Sequence, residues 1–296
     1  LFFNLGDRMA IRQGSPDSTF WKFRTSKMAI DILHKEELWF AKPKFFNDPF
    51  DSSLTINEVL SGIAGSSLKL RERLGLTQED INQLNSDILN HFQNLQASDK
   101  NYISELENRA VFCVNRKIEF QSPPKVYDPI NEPLMWSHYA DEHRGICLGF
   151  NLKNLSSHCK NNRPYYPYFK VWQIYYGLDG VKGAYDHLLI KKSNQLDDDA
   201  YRWFTERVFL IKARNWEYEG EYRFMLFDVA ADKPGKSVSL AKDDLEHVVF
   251  GINTEPSDKE LVRIILDEKG WSHVSLWNTS KDPNNLLSLE FSKYNP

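Results

Sequence analysis

TFWKFRTSKMAIDILHKEELWFA, residues 19–41, is the stretch on which the fold reading turns. Residues 19–24 alternate aromatic and polar side chains, the two-residue period of a half-buried strand. Thr25 and Ser26 then offer a capping hydroxyl, and Met28, Ile32 and Leu33 recur at helical spacing. Residues 37–41 read as a second strand. Pro43 and the FNDPFD segment, residues 46–51, stop it in a turn, because Asn, Asp and Pro favour turn backbone.

Outward from this strand–helix–strand unit, the same logic continues. Residues 55–108 carry Leu70, Leu74, Ile81, Leu84, Ile88, Leu89 and Phe92 at helical intervals, with Thr77 as a cap, and form a helical insertion. A short buried strand is expected at 111–114, a proline-rich loop over 117–133, and a helix over 134–142 closed by Gly145 as its left-handed C′ residue. Further strands fall at 146–150, 169–176, 222–227, 247–252 and 272–277. Helices fall at 197–212, where Tyr201, Phe204, Val208 and Ile211 share a face, and at 258–267; residues 151–166 read as loop. No glycine-rich phosphate loop of either common type is present. The expected architecture is α+β: one domain, 1–296, with a central mixed or antiparallel sheet and a helical insertion at about 55–108.

Composition narrows the function classes. The 296 residues carry a net charge of −4, so a uniformly basic surface is excluded, although a local basic groove is not. Aromatic residues reach 14%, which points to a well-packed interior or a ring-lined pocket. No apolar run approaches the roughly 20 residues of a spanning helix. Asp7 and Arg8 come too early for a signal-peptide core. Three cysteines, Cys113, Cys147 and Cys159, without a CxxC pair suit a reducing compartment. A cytoplasmic protein without a membrane partner or bound metal is expected.

Four clusters have the residue types for chemistry. In the FNDPFD turn, Asn47, Asp48 or Asp51 can face a ligand between phenylalanine anchors. In MWSHYA, His138 and Tyr139 are neighbours on a helix and cannot both line one pocket; Trp136 reads as core. In WEYEGEYR, an unbroken strand places Glu217, Glu219, Glu221 and Arg223 on one face and Tyr218 and Tyr222 on the other. Carboxylates so crowded need a cation, from Arg223, Lys212 or Arg214. Lys22 and Arg24 on the first strand suit phosphate, though such charges are more often plain surface.

The motifs FWKFRT (20–25), LWFAKPKFFNDPFD (38–51), VFCV (111–114), LMWSHYADEHRGICLGF (134–150) and WEYEGEYRF (216–224), the last preceded by Lys212, resemble in order those of the bacterial domain-of-unknown-function 2971 family. The match runs from about residue 20 to 252, with Ala41 and Asn115 standing where hydroxyl residues are expected. The layout also resembles a split ADP-ribosyltransferase. That resemblance implies NAD as substrate, held by Arg24 or Lys22, with Glu221 as the catalytic glutamate, Glu219 beside it, and Phe40 or Tyr139 stacked on nicotinamide. His138, Asn47, Asp48 and Arg223 complete the candidate site. The family resemblance further implies a toxic effector of a phage-defence or toxin–antitoxin module, with a nucleic-acid or protein target and a controlling partner. Two other readings stay open: a nuclease with Mg²⁺ among Asp48, Asp51, Glu219, Glu221 and Lys212, and a non-enzymatic binding module.

Overall fold

The computed structural model describes residues 19–46, 48, 51, 56–63, 68–98, 109–121, 124–151, 172–191, 204, 207–208, 210–226, 229–230, 232–285 and 288–294. The opening unit forms as its sequence requires: β1 (Phe20–Arg24), α1 (Ser26–Lys35) and β2 (Glu37–Ala41). Thr25 Oγ1 accepts the Met28 amide at 3.3 Å, satisfying one orphan donor of the helix start. Ala29 and Leu33 face the core, and Glu36 in the left-handed region ends the helix. The helical region contains α2 (Ile56–Ile63), α3 (Leu68–Arg73) and α4 (Gln78–Ser98). Thr77 opens α4 through a reciprocal cap: its hydroxyl accepts the Asp80 amide, and Asp80 accepts the Thr77 amide at 2.8 Å.

After β3 (Ala110–Asn115), the expected proline-rich loop is instead a hairpin of β4 (Ile118–Gln121) and β5 (Pro124–Tyr127). Pro124 is tolerated there because it opens the strand of a two-stranded ribbon. Next come α5 (Pro133–Tyr139), β6 (Ile146–Phe150), β7 (Trp172–Gln173), β8 (Tyr175–Tyr176) and α6 (Asp179–Lys191). The chain continues through β9 (Ile211–Lys212), β10 (Glu221–Leu226), β11 (Gly235–Ser239), β12 (Leu245–Phe250), α7 (Pro256–Glu268), β13 (Ser275–Lys281) and β14 (Leu289–Lys293). Helix and strand thus combine as α+β. The expected helix 197–212 keeps its helical character at Phe204 and Val208, but Ile211 and Lys212 leave it to pair with β8. Tyr201, Cys159 and the expected loop 151–166, apart from Asn151, lie outside the described residues.

The main sheet has the order β11-β2-β3-β1-β6-β12-β13-β14, with β10 also on β3 and β7 on β10. Every pairing in it is antiparallel except β12 with β13, so the sheet is mixed. One face, built by Phe20, Phe112, Leu148, Phe150, Phe224, Val248 and Phe250, packs under Leu33 of α1 and Val262, Ile265 and Leu266 of α7. The opposite face packs Phe23, Cys147 and Val249 against Met135 and Trp136 of α5. A separate core joins Val59 and Ile63 of α2, Ile81, Leu84 and Ile88 of α4, Tyr185 and Leu188 of α6, and Ile211 of β9.

Two strands leave the sheet's regular ladder beside β3. β1 meets β3 at one pair, Trp21 with Asn115, and β2 meets the same edge at one pair, Ala41 with Val111. Between these contacts β1 and β2 splay apart. The exposed carbonyl of Cys113 accepts a hydrogen bond from Lys22 Nζ, which takes the place of a strand amide. Lys22 is accordingly buried, with its ammonium 5.0 Å from the centre of the Phe112 ring. The reading of Lys22 as an ordinary surface charge is corrected by this split.

Gly145 is needed for a reason other than left-handed backbone. The positive φ values fall on Asp141, Glu142 and His143, and a Cβ on Gly145 would collide with the Arg24 carbonyl and the Ala140 backbone. Gly145→Ala is expected to cost about 2 kcal/mol or more, the scale of backbone strain in an over-determined turn. Urea unfolding of the variant beside wild type measures this; an unchanged midpoint would contradict the close approach.

Candidate active site

A pocket of about 400 Å³ opens in the split between β1 and β2. Lys22, Phe23 and Arg24 of β1 form one wall, Trp39 and Ala41 of β2 another, and Val111, Cys113 and Asn115 of β3 the floor. Asp51, Tyr139, Lys212, Glu219 and Glu221 close its polar end, and Met28, Phe45 and Phe46 its apolar side.

The WEYEGEYR segment reaches the pocket by a reversal, correcting the expectation of one continuous strand. Residues Arg214–Glu219 form a 3₁₀ helix, Gly220 adopts φ 54°, and β10 begins at Glu221. The Gly220 carbonyl accepts the Arg116 amide at 2.9 Å, and a Cβ at Gly220 would strike the Arg116 carbonyl. Only glycine combines that close approach with positive φ at little cost. Asn115 Nδ2 also donates to the Glu219 carbonyl at 2.9 Å, so the end of β3 fixes the turn. Glu217 is carried away from the pocket and accepts from Tyr127 Oη at 2.9 Å.

Across this turn, Glu219 and Glu221 converge on one ammonium. Lys212 Nζ donates to Glu219 Oε2 at 2.5 Å and to Glu221 Oε2 at 2.8 Å, and lies 3.9 Å from Asp51 Oδ2. Arg223 donates through Nε to Glu221 Oε1 at 2.6 Å and through Nη2 to both Asp51 oxygens, at 2.8 and 2.7 Å. Tyr139 Oη donates to Glu219 Oε1 at 2.5 Å, and the Glu221 amide donates to Tyr176 Oη at 2.8 Å. All five charged residues are buried. Charge-assisted bonds of this length offset the desolvation that burial imposes.

The environment drives the two glutamates in opposite directions. Burial raises Glu219 to about 7, against the partial opposition of Lys212, and the charge of Glu221 adds to the rise. Burial also acts on Glu221, but Arg223 and Lys212 outweigh it and hold that carboxyl well below the usual range. Burial lowers Lys22 to about 7, helped by Arg24. Tyr139 stays protonated, since burial and the adjacent Glu219 charge raise it. The pocket therefore holds a carboxyl pushed up and an amine pushed down by burial, beside a glutamate held ionised by its cations. Divided protonation of this kind is what acid–base chemistry uses. Cys113, raised by burial to about 12, is an unreactive thiol there.

The candidate residues distribute unevenly. Lys22, Arg24, Tyr139, Glu219 and Glu221 line the pocket. Arg223 is fully buried behind it and binds Asp51 and Glu221 rather than an entering ligand. Phe40 does not face the pocket: strand alternation sends Leu38 and Phe40 into the core and turns Trp39 and Ala41 to the pocket. His138 lies outside it, exposed, with Nδ1 3.0 Å from Tyr218 Oη, because adjacent helical residues diverge and Tyr139 takes the inward place. Asp48 is not among the lining residues, and Asn47 lies outside the described residues. For the Mg²⁺ reading, Asp51, Glu219 and Glu221 do gather around Lys212, but each is already bonded to Lys212 or Arg223. Among the described residues, no group of three or more His, Cys, Asp or Glu side chains is arranged to hold a metal ion. Sequence reading passed over Trp39 and Phe45, although the alternation of 37–41 already placed Trp39 opposite Phe40.

Residues 135–224 match the model of a family described as a protein of unknown function, DUF2971. The segment takes in most of α5, the Gly145 turn, β6, Lys212 and the Glu219–Glu221 reversal, so the resemblance expected over residues 20–252 is matched at its later motifs, which supply Tyr139, Lys212, Glu219 and Glu221 to the site. Comparison with curated proteins and with solved structures gave no match.

The two glutamates predict opposite pH dependences. Glu221, depressed when folded, contributes stability above its ordinary value of 4.5, and this is lost as pH falls through its folded value. Glu219, raised when folded, contributes below 4.5 and loses that contribution as pH rises through about 7. Glu221→Gln is expected to cost about 3–5 kcal/mol at neutral pH, because it strands Arg223 and Lys212. Relative to Glu219→Gln, wild type is expected to lose stability as pH rises from about 5 to about 8. Urea unfolding across that range measures both; parallel profiles for wild type and Glu219→Gln would contradict the assignment.

Proposed function

We propose, for this chain with its DUF2971 segment, an enzyme that consumes NAD and transfers its ADP-ribosyl group to a macromolecular target or to water. The carrying observation is the Glu219–Glu221 pair, bridged by Lys212, with burial pushing Glu219 up and Arg223 and Lys212 holding Glu221 down. In this reading Arg24 and Lys22 face the pyrophosphate, for which Arg offers paired donors. Glu219, in its ionised form, takes the proton of the attacking hydroxyl. Tyr139 and Lys212 hold its two oxygens in place. Glu221 keeps negative charge beside the ribose as the bond to nicotinamide breaks and its electron pair leaves with nicotinamide. NAD depletion or target modification suits a toxic effector restrained by a partner protein.

A second reading has one observation in its favour: Asp51 and Glu221 spend their oxygens on Arg223 and Lys212, as a purely structural ion network does. In a non-enzymatic binding module, variants of Glu219 change stability and nothing else.

Nicotinamide release by purified protein separates the two. Wild type is expected to release nicotinamide from NAD, with kcat rising through about pH 7 as Glu219 ionises. Glu219→Gln is expected to lower kcat by about a hundredfold or more while NAD affinity changes little, the usual scale for removing a general base. Undiminished release by Glu219→Gln, or no NAD binding by wild type, would overturn the proposal.

A further inference from the structure

Three large apolar side chains are conspicuously exposed at one place. Met28, Trp39 and Phe45 are 55, 47 and 57% exposed, and all three line the pocket in the split, so they form its rim. Large apolar groups clustered around a polar opening mark a binding surface. The Trp39 ring is held in position: it lies across Gly235 of β11, where a Cβ would come within 2.6 Å of indole Cζ2. Gly235 pairs with Ala41, so the indole rests on the backbone of the neighbouring strand and keeps one face open. Phe45 carries the Lys44 ammonium 5.1 Å from its ring centre.

The charges at this rim are cationic. Among the described residues, Arg24 and Lys44 have no carboxylate partner; the one bond Arg24 makes is a 3.5 Å contact from Nη1 to the Phe23 carbonyl. The acids of the pocket, Asp51, Glu219 and Glu221, lie deeper and are compensated by Lys212 and Arg223. Glu37, at the start of β2, is not among the residues that line the pocket. Fixed aromatic faces interleaved with cations are the recognition chemistry of unpaired bases on a phosphate backbone. Bases inside a duplex are stacked on both faces and have none to offer.

We propose that this rim binds a single-stranded segment of nucleic acid, its bases stacked on Trp39 and Phe45 and its phosphates against Lys44, with Arg24 left to the NAD pyrophosphate. This deepens the NAD-consuming reading and rests on it for the chemistry: the bound strand is the acceptor. A nucleophilic oxygen or nitrogen of one nucleotide forms a bond to C1′ of the NAD ribose. The C1′–nicotinamide bond breaks with its electron pair on nicotinamide, and the acceptor's proton passes to Glu219.

The test is fluorescence anisotropy with a labelled oligonucleotide of about twelve nucleotides, single-stranded or annealed to its complement, on the Glu219→Gln protein, so that turnover does not enter. The single strand is expected to bind at least about tenfold tighter than the duplex. Trp39→Ala or Phe45→Ala is expected to weaken it about tenfold, the scale of one lost base stack. Lys44→Ala is expected to reduce the salt dependence by about one released counterion, with thermal midpoints unchanged. Equal or tighter binding of the duplex, no binding of either, or affinities indifferent to Trp39 and Lys44 would overturn the proposal. Nicotinamide release is measured separately on wild type, with and without the oligonucleotide. Release without strand binding sinks this proposal alone, and strand binding without release sinks the NAD chemistry while the rim's assignment stands.

Discussion

The Lys212 ammonium is the constraint on which the rest of the site depends. Three carboxylates, Asp51 from the turn after β2 and Glu219 and Glu221 from either side of Gly220, meet in a buried space that like charges cannot share unaided. Lys212 touches all three, and Arg223 secures two of them from behind. Burial and the neighbouring Glu221 charge push Glu219 upward, while Arg223 and Lys212 hold Glu221 ionised. Lys212 follows Ile211, which is packed in the helical core of α2, α4 and α6. The helices of that core therefore hold the residue next to the cation that the sheet's carboxylates require.

The second constraint is the split beside β3. Had β1 and β2 paired along their full lengths, the space between them would be closed by ladder hydrogen bonds. Each instead touches β3 once, and Lys22 satisfies the carbonyl left between. The opening costs a buried lysine, which burial drives toward neutrality. In return the fold has a pocket with rings on its rim, cations on its wall and a proton-exchanging carboxyl at its end. No helix among the described residues is long and apolar enough to cross a membrane.

Much of this was legible in the chain, and the failures have physical causes. Period and capping located β1, α1 and β2, because alternation of buried side chains and the Thr25 cap are local facts. The hairpin at β4 and β5 was hidden by prolines that edge strands tolerate. β11 and β14 were hidden by the polar sequences GKSVS and LEFSK, since exposed strands need no apolar face. Glu219 and Glu221 were legible as a pair from their spacing, but their meeting at Lys212 depends on Gly220 taking a positive φ, which reverses the chain where alternation predicted a straight strand. Arg223 was legible as a cation yet not as a buried one, because its partner Asp51 is 172 residues away in sequence. Phe40 and Trp39 exchange their expected places for a simple reason: one residue of register decides which ring meets solvent.

The site turns on Glu219 holding and releasing a proton near neutral pH while Glu221 stays ionised. Carbon-13 NMR of protein labelled at the glutamate carboxyl carbon reads both groups, with Glu219→Gln identifying the signal. A Glu219 resonance that titrates near pH 7 is expected, while the Glu221 resonance holds its ionised position across the same range. A Glu219 signal that titrates with the exposed glutamates, near 4.5, would contradict it.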